Sequence, residues 1–275
     1  MTMKLLVLGA GGYIGRNLIP VLAQHADFSV TAVTSQPIAP GSPGVATVCT
    51  SLEDLPFRLA GDHDLVLNLA SAGVAHKDED DLRVLSDNLA IAHHVCRFAE
   101  CTRRRLLVHF GSDTEQSSLS AYLPSAEGMS LPASLVQQPT SLYSLSKTMQ
   151  STLIRYFTAK SQFRAHVVMT PNVYGGLDQP YSLMGAMRSA IVAGQPFTVQ
   201  TPAIVKRFVH ISAFSSYVVG VLQDLSSRFD HSEATPRFAV SSMDFVPRTT
   251  VGAFARHQWL LLGGAASELR GFQAD

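Results

Sequence analysis

Four apolar residues, Leu5-Leu6-Val7-Leu8, run straight into Gly9-Ala10-Gly11-Gly12-Tyr13-Ile14-Gly15, and an apolar stripe at helical spacing follows at Ile14, Leu18, Val21 and Leu22. A strand with no polar alternation is covered on both faces, which is the condition inside a parallel sheet flanked by helices. The same alternation continues downstream. Ser29–Val33, Val45–Val48, Leu65–Leu69, Leu106–Phe110 and His166–Met169 read as further strands. Between them lie a helix with Leu82, Leu85, Leu89, Ala92, Cys96 and Ala99 on its expected buried stripe and a long helix starting near Tyr143. Strands alternating with helices predict an α/β fold, a Rossmann-type doubly wound parallel sheet.

After Pro171 the pattern loosens into glycine, proline and polar turns. Met184, Met187, Ile191 and Val192 suggest one helix, Phe197-Thr198-Val199 a short strand, and the region of Trp259 a final helix. The expected organisation is a dinucleotide-binding domain over 1–171 with a return segment at 206–229. A small interleaved C-terminal lobe, 172–205 and 230–275, is expected to bind substrate, because ligand sites of open α/β sheets form beyond the strand ends.

The composition excludes several classes of partner. Acidic and basic residues balance to a formal net charge of +0 over 275 residues, which gives no basic surface for nucleic acid or anionic lipid. No segment approaches membrane-spanning length. The N-terminus shows no basic flank, long apolar stretch or small-residue cleavage site, so a cytoplasmic protein is expected. Three cysteines, Cys49, Cys96 and Cys101, are odd in number and lack zinc spacing, so they are expected as buried small hydrophobes in a reducing compartment, with no metal site. Oligomeric state stays open, a homodimer among the readings.

The glycine turn lies where a dinucleotide pyrophosphate meets a helix N-terminus. Gly9, Gly12, Tyr13, Ile14 and Gly15 are the expected lining, since a side chain at the close-approach position would collide with phosphate. NAD sites usually place an acidic residue at the end of the second strand. Here Thr34-Ser35-Gln36 stands there, and Arg16 follows the third glycine, so NADP is expected ahead of NAD, with Thr34 and Ser35 near the ribose. Arg16 also fits a solvated helix arginine.

Tyr143 and Lys147 are spaced Tyr-x-x-x-Lys, which on a helix puts a phenol and an ammonium on one face. The cation is expected to stabilise a phenolate and make the tyrosine a proton donor and acceptor. Tyr156 and Lys160 repeat the spacing. The first pair follows Pro139-Thr140-Ser141-Leu142 at the start of its helix, near the carboxyl edge of the sheet, and is taken as the functional one. Tyr156, more than three turns on, is read as a packing residue.

These residues carry a resemblance. The chain resembles the extended short-chain dehydrogenase/reductase family, in particular its sugar-nucleotide epimerase, dehydratase and ketoreductase branch. The motifs are Gly9-x-x-Gly12-x-x-Gly15, Asn68-Leu69-Ala70-Ser71, Asn88, Phe110-Gly111-Ser112 and Leu142-Tyr143-Ser144-Leu145-Ser146-Lys147. Pro171-Asn172-Val173-Tyr174-Gly175, Gly194-Gln195-Pro196 and Lys206-Arg207-Phe208-Val209-His210-Ile211 continue the series. The resemblance implies that Tyr143 exchanges the proton on the reacting oxygen, that Lys147 holds the nicotinamide ribose and lowers the tyrosine pKa, and that Ser112 hydrogen-bonds the same oxygen. It implies cofactor contacts at Leu69, Ala70 and Ser71, a link from Asn88 to the lysine through water, and substrate contacts at Asp113, Asn172, Lys206 and Arg207. Ser112 also fits a polar strand end, Asn88 a surface asparagine, and Lys206-Arg207 an exposed basic pair.

Family dehydratases pair an Asp and a Glu directly after this serine or threonine. Ser112-Asp113-Thr114 keeps only the Asp, with Glu115 one residue further, which disfavours elimination of water. The leading expectation is an NADP-dependent reductase of a keto group, at carbon 4, on a nucleotide-linked deoxysugar. A sugar-nucleotide epimerase with bound NAD(P), a reductase of a non-nucleotide carbonyl and a non-catalytic NADP-binding sensor or scaffold are the alternatives.

Overall fold

The computed structural model describes residues 2–37, 42–73, 81–115, 141–177, 181–230 and 236–271. The first half alternates β1 (Met3–Leu8), α1 (Tyr13–Gln24), β2 (Phe28–Thr34), β3 (Ala46–Cys49), α2 (Phe57–Gly61), β4 (Leu65–Asn68), α3 (Leu82–Cys101) and β5 (Leu106–Ser112). Then come α4 (Leu142–Lys160), β6 (Arg164–Thr170), β7 (Asn172–Tyr174), α5 (Leu183–Val192), β8 (Phe197–Thr198) and β9 (Val205–His210). α6 (Ile211–Asp230), β10 (Phe238–Ser242), β11 (Arg248–Thr250), α7 (Val251–Leu261) and β12 (Leu269–Arg270) complete the described elements.

The chain divides into two compact units, Met1–Thr170 with Ser215–Ser242, and Pro171–Phe214 with Met243–Asp275. In the first unit seven strands form a parallel sheet in the order β10-β6-β5-β4-β1-β2-β3. β1 sits between β4 and β2, so strand order reverses at its carboxyl end, the place where open α/β sheets form a ligand crevice. Leu6, Leu8, Val66 and Leu107 from the sheet and Val95, Phe98 and Ile154 from the helices are fully buried or nearly so in one core. The second unit has its own core, in which Trp259 is fully buried and donates its indole N–H to the Ala265 carbonyl at 2.9 Å. Its three-stranded sheet runs β11-β9-β7, and Phe208 stacks on Phe254 with centroids 3.8 Å apart.

Several sequence expectations are corrected here. The return segment is Ser215–Ser242, not 206–229: β9 belongs to the second unit, and β10 adds a seventh parallel strand to the main sheet. The buried stripe of α3 is Val84, Asn88, Ala92, Val95, Cys96, Phe98 and Ala99, and Leu82 is 73% exposed. Only Cys96 is buried, where desolvation pushes its thiol up to about 12; Cys49 on the outer strand and Cys101 at the end of α3 are exposed. Tyr156 is 58% exposed and packs through an edge-on contact with its neighbour Phe157, ring centroids 5.9 Å apart. Among the described residues, no helix is long and apolar enough to cross a membrane.

Candidate active site

α4 is the element that builds the site. Its N-terminus is fixed by Ser141, whose hydroxyl accepts from the Ser144 amide at 3.1 Å, and this cap sets Tyr143 in the first turn. One turn later Lys147 is 3% exposed and donates through Nζ to the Phe110 carbonyl at 2.9 Å, which ties the helix to β5. Burial holds the Lys147 ammonium below its ordinary 10.5, and the nearby Glu115 charge opposes that fall.

Tyr143 behaves differently from the sequence expectation. Burial pushes its phenol up to about 12, its hydrogen bond with Ser71 pulls the other way, and the Glu115 carboxylate adds a further upward push. The reason is that desolvation of a phenolate dominates here, while the lysine ammonium is engaged with a backbone carbonyl. In this state the Tyr143 phenol is protonated across the neutral range.

The loop after β4 is locked from several directions. Leu69 donates its amide to the Leu8 carbonyl at 2.9 Å, and the Ala70 amide donates to Asn68 Oδ1 at 3.1 Å. Asn68 Nδ2 lies 2.9 Å from His109 Nδ1; with Asn68 Oδ1 occupied as an acceptor, the amide donates, so Nδ1 of the imidazole accepts. Full burial, and then the Lys147 charge, hold His109 well below its ordinary 6.5, so the ring is neutral. Asn88, also fully buried, accepts from the Ala72 amide at 2.9 Å and donates to the Ala72 carbonyl at 3.2 Å and to Ser146 Oγ at 2.8 Å. Its own carbonyl accepts from Gln150 at 2.7 Å. Through these partners Asn88 joins the 71–73 loop to α4.

At the end of β5, the Ser112 amide donates to Glu115 Oε1 at 2.6 Å. Glu115 is fully buried and Oε2 accepts from Ser151 Oγ at 2.6 Å. Desolvation raises this carboxyl to about 7, against the opposing pull of Lys147 and then of the Ser151 and Ser112 hydrogen bonds. Sequence reasoning noted Glu115 only as a carboxylate out of register. The legible signal was its place three residues after Ser112, close enough to fold back on a strand end.

The glycine turn has the open, anion-accepting geometry that a dinucleotide requires. Gly9 has φ +80°, and a Cβ there would lie 2.5 Å from the Ala70 amide nitrogen; one at Gly15 would lie 2.5 Å from the Ala10 carbonyl oxygen. Those two glycines are therefore required by the protein's own backbone. Gly12 is different, since a Cβ there meets only the Gly9 carbonyl oxygen, at 3.3 Å, so the space beyond it is open to a ligand. It is also the N-cap of α1, with no side-chain cap and no acidic residue in the first turn, which suits an anion. Arg16 is exposed in that first turn. Thr34 is buried and donates its hydroxyl to the Gln36 carbonyl at 2.8 Å; Ser35 beside it is exposed.

In the second unit Asn172 and Lys206 are exposed, and Asn172 donates to the Arg207 carbonyl at 3.1 Å. Arg207 is turned the other way along β9, its side chain 13% exposed and paired with Asp244 at 3.1 Å. Asp244 was not singled out from sequence, where an isolated loop carboxylate carries no signal.

Residues 5–230 match the NAD dependent epimerase/dehydratase family. The chain belongs to that family. Membership makes it an NAD(P)-dependent enzyme of the extended short-chain dehydrogenase/reductase type. Solved structures share the architecture. A UDP-N-acetylglucosamine 4-epimerase from Methanobrevibacter ruminantium, in complex with UDP-N-acetylmuramic acid, aligns over 100% of this chain and 88% of its own, with TM-score 0.74 and 16% identity. A UDP-glucuronic acid 4-epimerase from Bacillus cereus, with UDP-glucuronic acid and NAD, gives TM-score 0.75 and 15% identity over 98% and 86%. A dTDP-glucose 4,6-dehydratase from Streptomyces venezuelae with NAD gives 0.72 and 18% over 98% and 84%. At these identities the likeness establishes the fold. A curated relative from Pyrococcus furiosus, named as a candidate phosphate reductase for LysW-linked 2-aminoadipate and glutamate, is 34% identical over 74 residues, and the chain spans only 22% of its length.

Proposed function

We propose that this family member is a cytoplasmic NADP-dependent reductase of a keto group, at carbon 4, on a nucleotide-linked deoxysugar. The observation that carries the reading is Tyr143, a half-buried phenol pushed up to about 12, one helical turn before a buried lysine. Reduction of a carbonyl consumes a proton, and a phenol held in its neutral form is ready to give one. When bound, the nicotinamide supplies the hydride. Tyr143 delivers the proton to the substrate oxygen, and Ser112 hydrogen-bonds the same oxygen. Lys147 holds the nicotinamide ribose and keeps a positive charge near the phenol as it loses its proton. The glycine turn holds the pyrophosphate with Gly12 and the first amides of α1. Ser35 and Arg16 are assigned to the NADP 2′-phosphate, and Asn172 and Lys206 to the substrate. Asn88, Ser71 and Ser146 position the reacting groups.

A second reading, a sugar-nucleotide epimerase that retains its dinucleotide, is favoured by the fold shared with two 4-epimerases. One experiment separates them. The purified protein is mixed with NADPH and a panel of nucleotide-linked 4-keto-6-deoxysugars, and the absorbance of the reduced cofactor is followed. Consumption is expected with at least one substrate, and faster with NADPH than with NADH. Interconversion of nucleotide sugars without net consumption of cofactor assigns the epimerase instead. Arg16→Ala is expected to narrow the NADPH advantage; equal rates with both cofactors in the parent enzyme overturn the NADP assignment.

A further inference from the structure

We propose that Glu115 is a positioning residue of this site: its buried carboxylate fixes the backbone at Ser112 and supplies the negative charge set against Lys147. The proposal rests on the reading that Ser112, Tyr143 and Lys147 are the reacting set.

The geometry is specific. A turn of 3₁₀ helix, Asp113–Glu115, folds the chain back at the end of β5, and each carboxylate oxygen receives one short hydrogen bond, from the Ser112 amide and from Ser151 Oγ, both at 2.6 Å. Ser151 lies one helical turn beyond Lys147, so α4 presents the ammonium and this hydroxyl to the same region. Gly111 leaves the room that the carboxylate needs, because a Cβ there would lie 2.9 Å from Oε1. A buried carboxylate with two short donors is expensive to assemble without a cation, and among the described residues Lys147 is the cation whose charge acts on it.

The other groups around it are accounted for. From α4, Tyr143 also senses the Glu115 charge. From β5, His109 is neutral, and β6 brings the apolar Val167 and Met169 beside Gly111. Asp113 is the remaining acid on the same turn. Loss of the Glu115 charge removes support from the Lys147 ammonium and relieves the upward push on the Tyr143 phenol. The protonation of Glu115 therefore reports to both reacting groups, and it titrates at about 7.

Glu115→Gln tests this cleanly. Its amide oxygen can accept from Ser112 and its nitrogen can donate to Ser151, so both contacts survive while the charge is removed. Two readouts are used. The first needs no substrate: the Ser112 amide resonance, followed by NMR across the neutral range in the wild-type protein, is expected to shift with an inflection near pH 7, and this inflection is expected to vanish in Glu115→Gln. The second is the kcat profile, in which the wild type is expected to inflect near pH 7 while Glu115→Gln runs flat at the wild-type acid plateau, because glutamine mimics the protonated acid. If Glu115→Gln does not fold, Ser151→Ala serves. It removes a hydrogen bond that favours the carboxylate, so the Ser112 inflection is expected to move to higher pH. A Ser112 resonance that does not titrate in the wild type, or titrates unchanged in either variant, overturns the proposal. An NMR inflection lost in Glu115→Gln, without turnover of any nucleotide sugar, leaves this proposal standing and removes the substrate reading. Turnover with identical pH profiles in wild type and Glu115→Gln does the reverse.

Discussion

The two ends of α4 carry the same motif and share almost nothing else. At its start, Tyr143 is hydrogen-bonded to Ser71, Lys147 is 3% exposed on the Phe110 carbonyl, and Ser146 and Gln150 grip Asn88. At its far end, Tyr156 is 58% exposed and Lys160 hovers 6.0 Å from the centre of its ring. Spacing along a helix brings a phenol and an ammonium onto one face, but only the first pair is held at the carboxyl ends of β4 and β5, where Lys147 is buried against the Phe110 carbonyl. The same Tyr-x-x-x-Lys spacing therefore gives two different environments, according to whether neighbouring strands remove water from it.

The sharpest way to break this contrast is to remove one hydroxyl from each end. Tyr143→Phe is expected to lower turnover by about 10² or more, the loss associated with a missing general acid, while cofactor affinity holds. Tyr156→Phe is expected to keep full activity; a comparable loss there would place the site at the wrong end of the helix. A smaller effect should appear as a pH dependence of stability confined to the first end. The carboxyl of Glu115 is raised from its ordinary 4.5 to about 7, so the folded state binds its proton more tightly than the unfolded chain does. Stability from this source is complete below about 4.5 and is lost as pH rises through about 7. The Tm of the wild type relative to Glu115→Gln is therefore expected to fall over that interval, and a constant difference would contradict it. The smallest effect compares the caps. Ser141→Ala removes a side-chain cap and is expected to cost about 1 kcal/mol in denaturant unfolding. Ser161, at the other end, acts through its backbone amide to the Phe157 carbonyl, so Ser161→Ala is expected to stay within about 0.5 kcal/mol.

The main sheet was legible because its strands are apolar on both faces, a pattern few other folds require. What was hidden follows one rule: a residue type in an environment opposite to its usual one. β10 was read as part of the lobe because it is an edge strand with Val240 36% exposed and two serines at its end. The stripe of α3 holds at Ala92, Cys96 and Ala99, but in its first half Val84 and Asn88 are buried in place of Leu85 and Leu89, because the polar Asn88 holds a fully buried place where apolar periodicity does not look for it. Glu115 was passed over for the same reason, as buried carboxylates are rare and a sequence gives no sign of desolvation. Tyr143, Lys147 and the three glycines could be singled out because a fixed spacing at a fixed place in the strand and helix order does not depend on solvent exposure.

The chain passes between its two units at 170/171, 214/215 and 242/243. Neither unit is a continuous piece of sequence, so neither can be excised by a single cut. A fragment ending at Thr170 would lose β10, leaving the apolar edge of β6 from Ala165 to Met169 unpaired, and would also lose the part of α6 that belongs to the main unit. Such an edge is a template for intermolecular pairing, and the fragment should be recovered as aggregate. Exchanging the second unit between family members to alter specificity would accordingly require two grafts made together, Pro171–Phe214 and Met243–Asp275, with β10 left in its host.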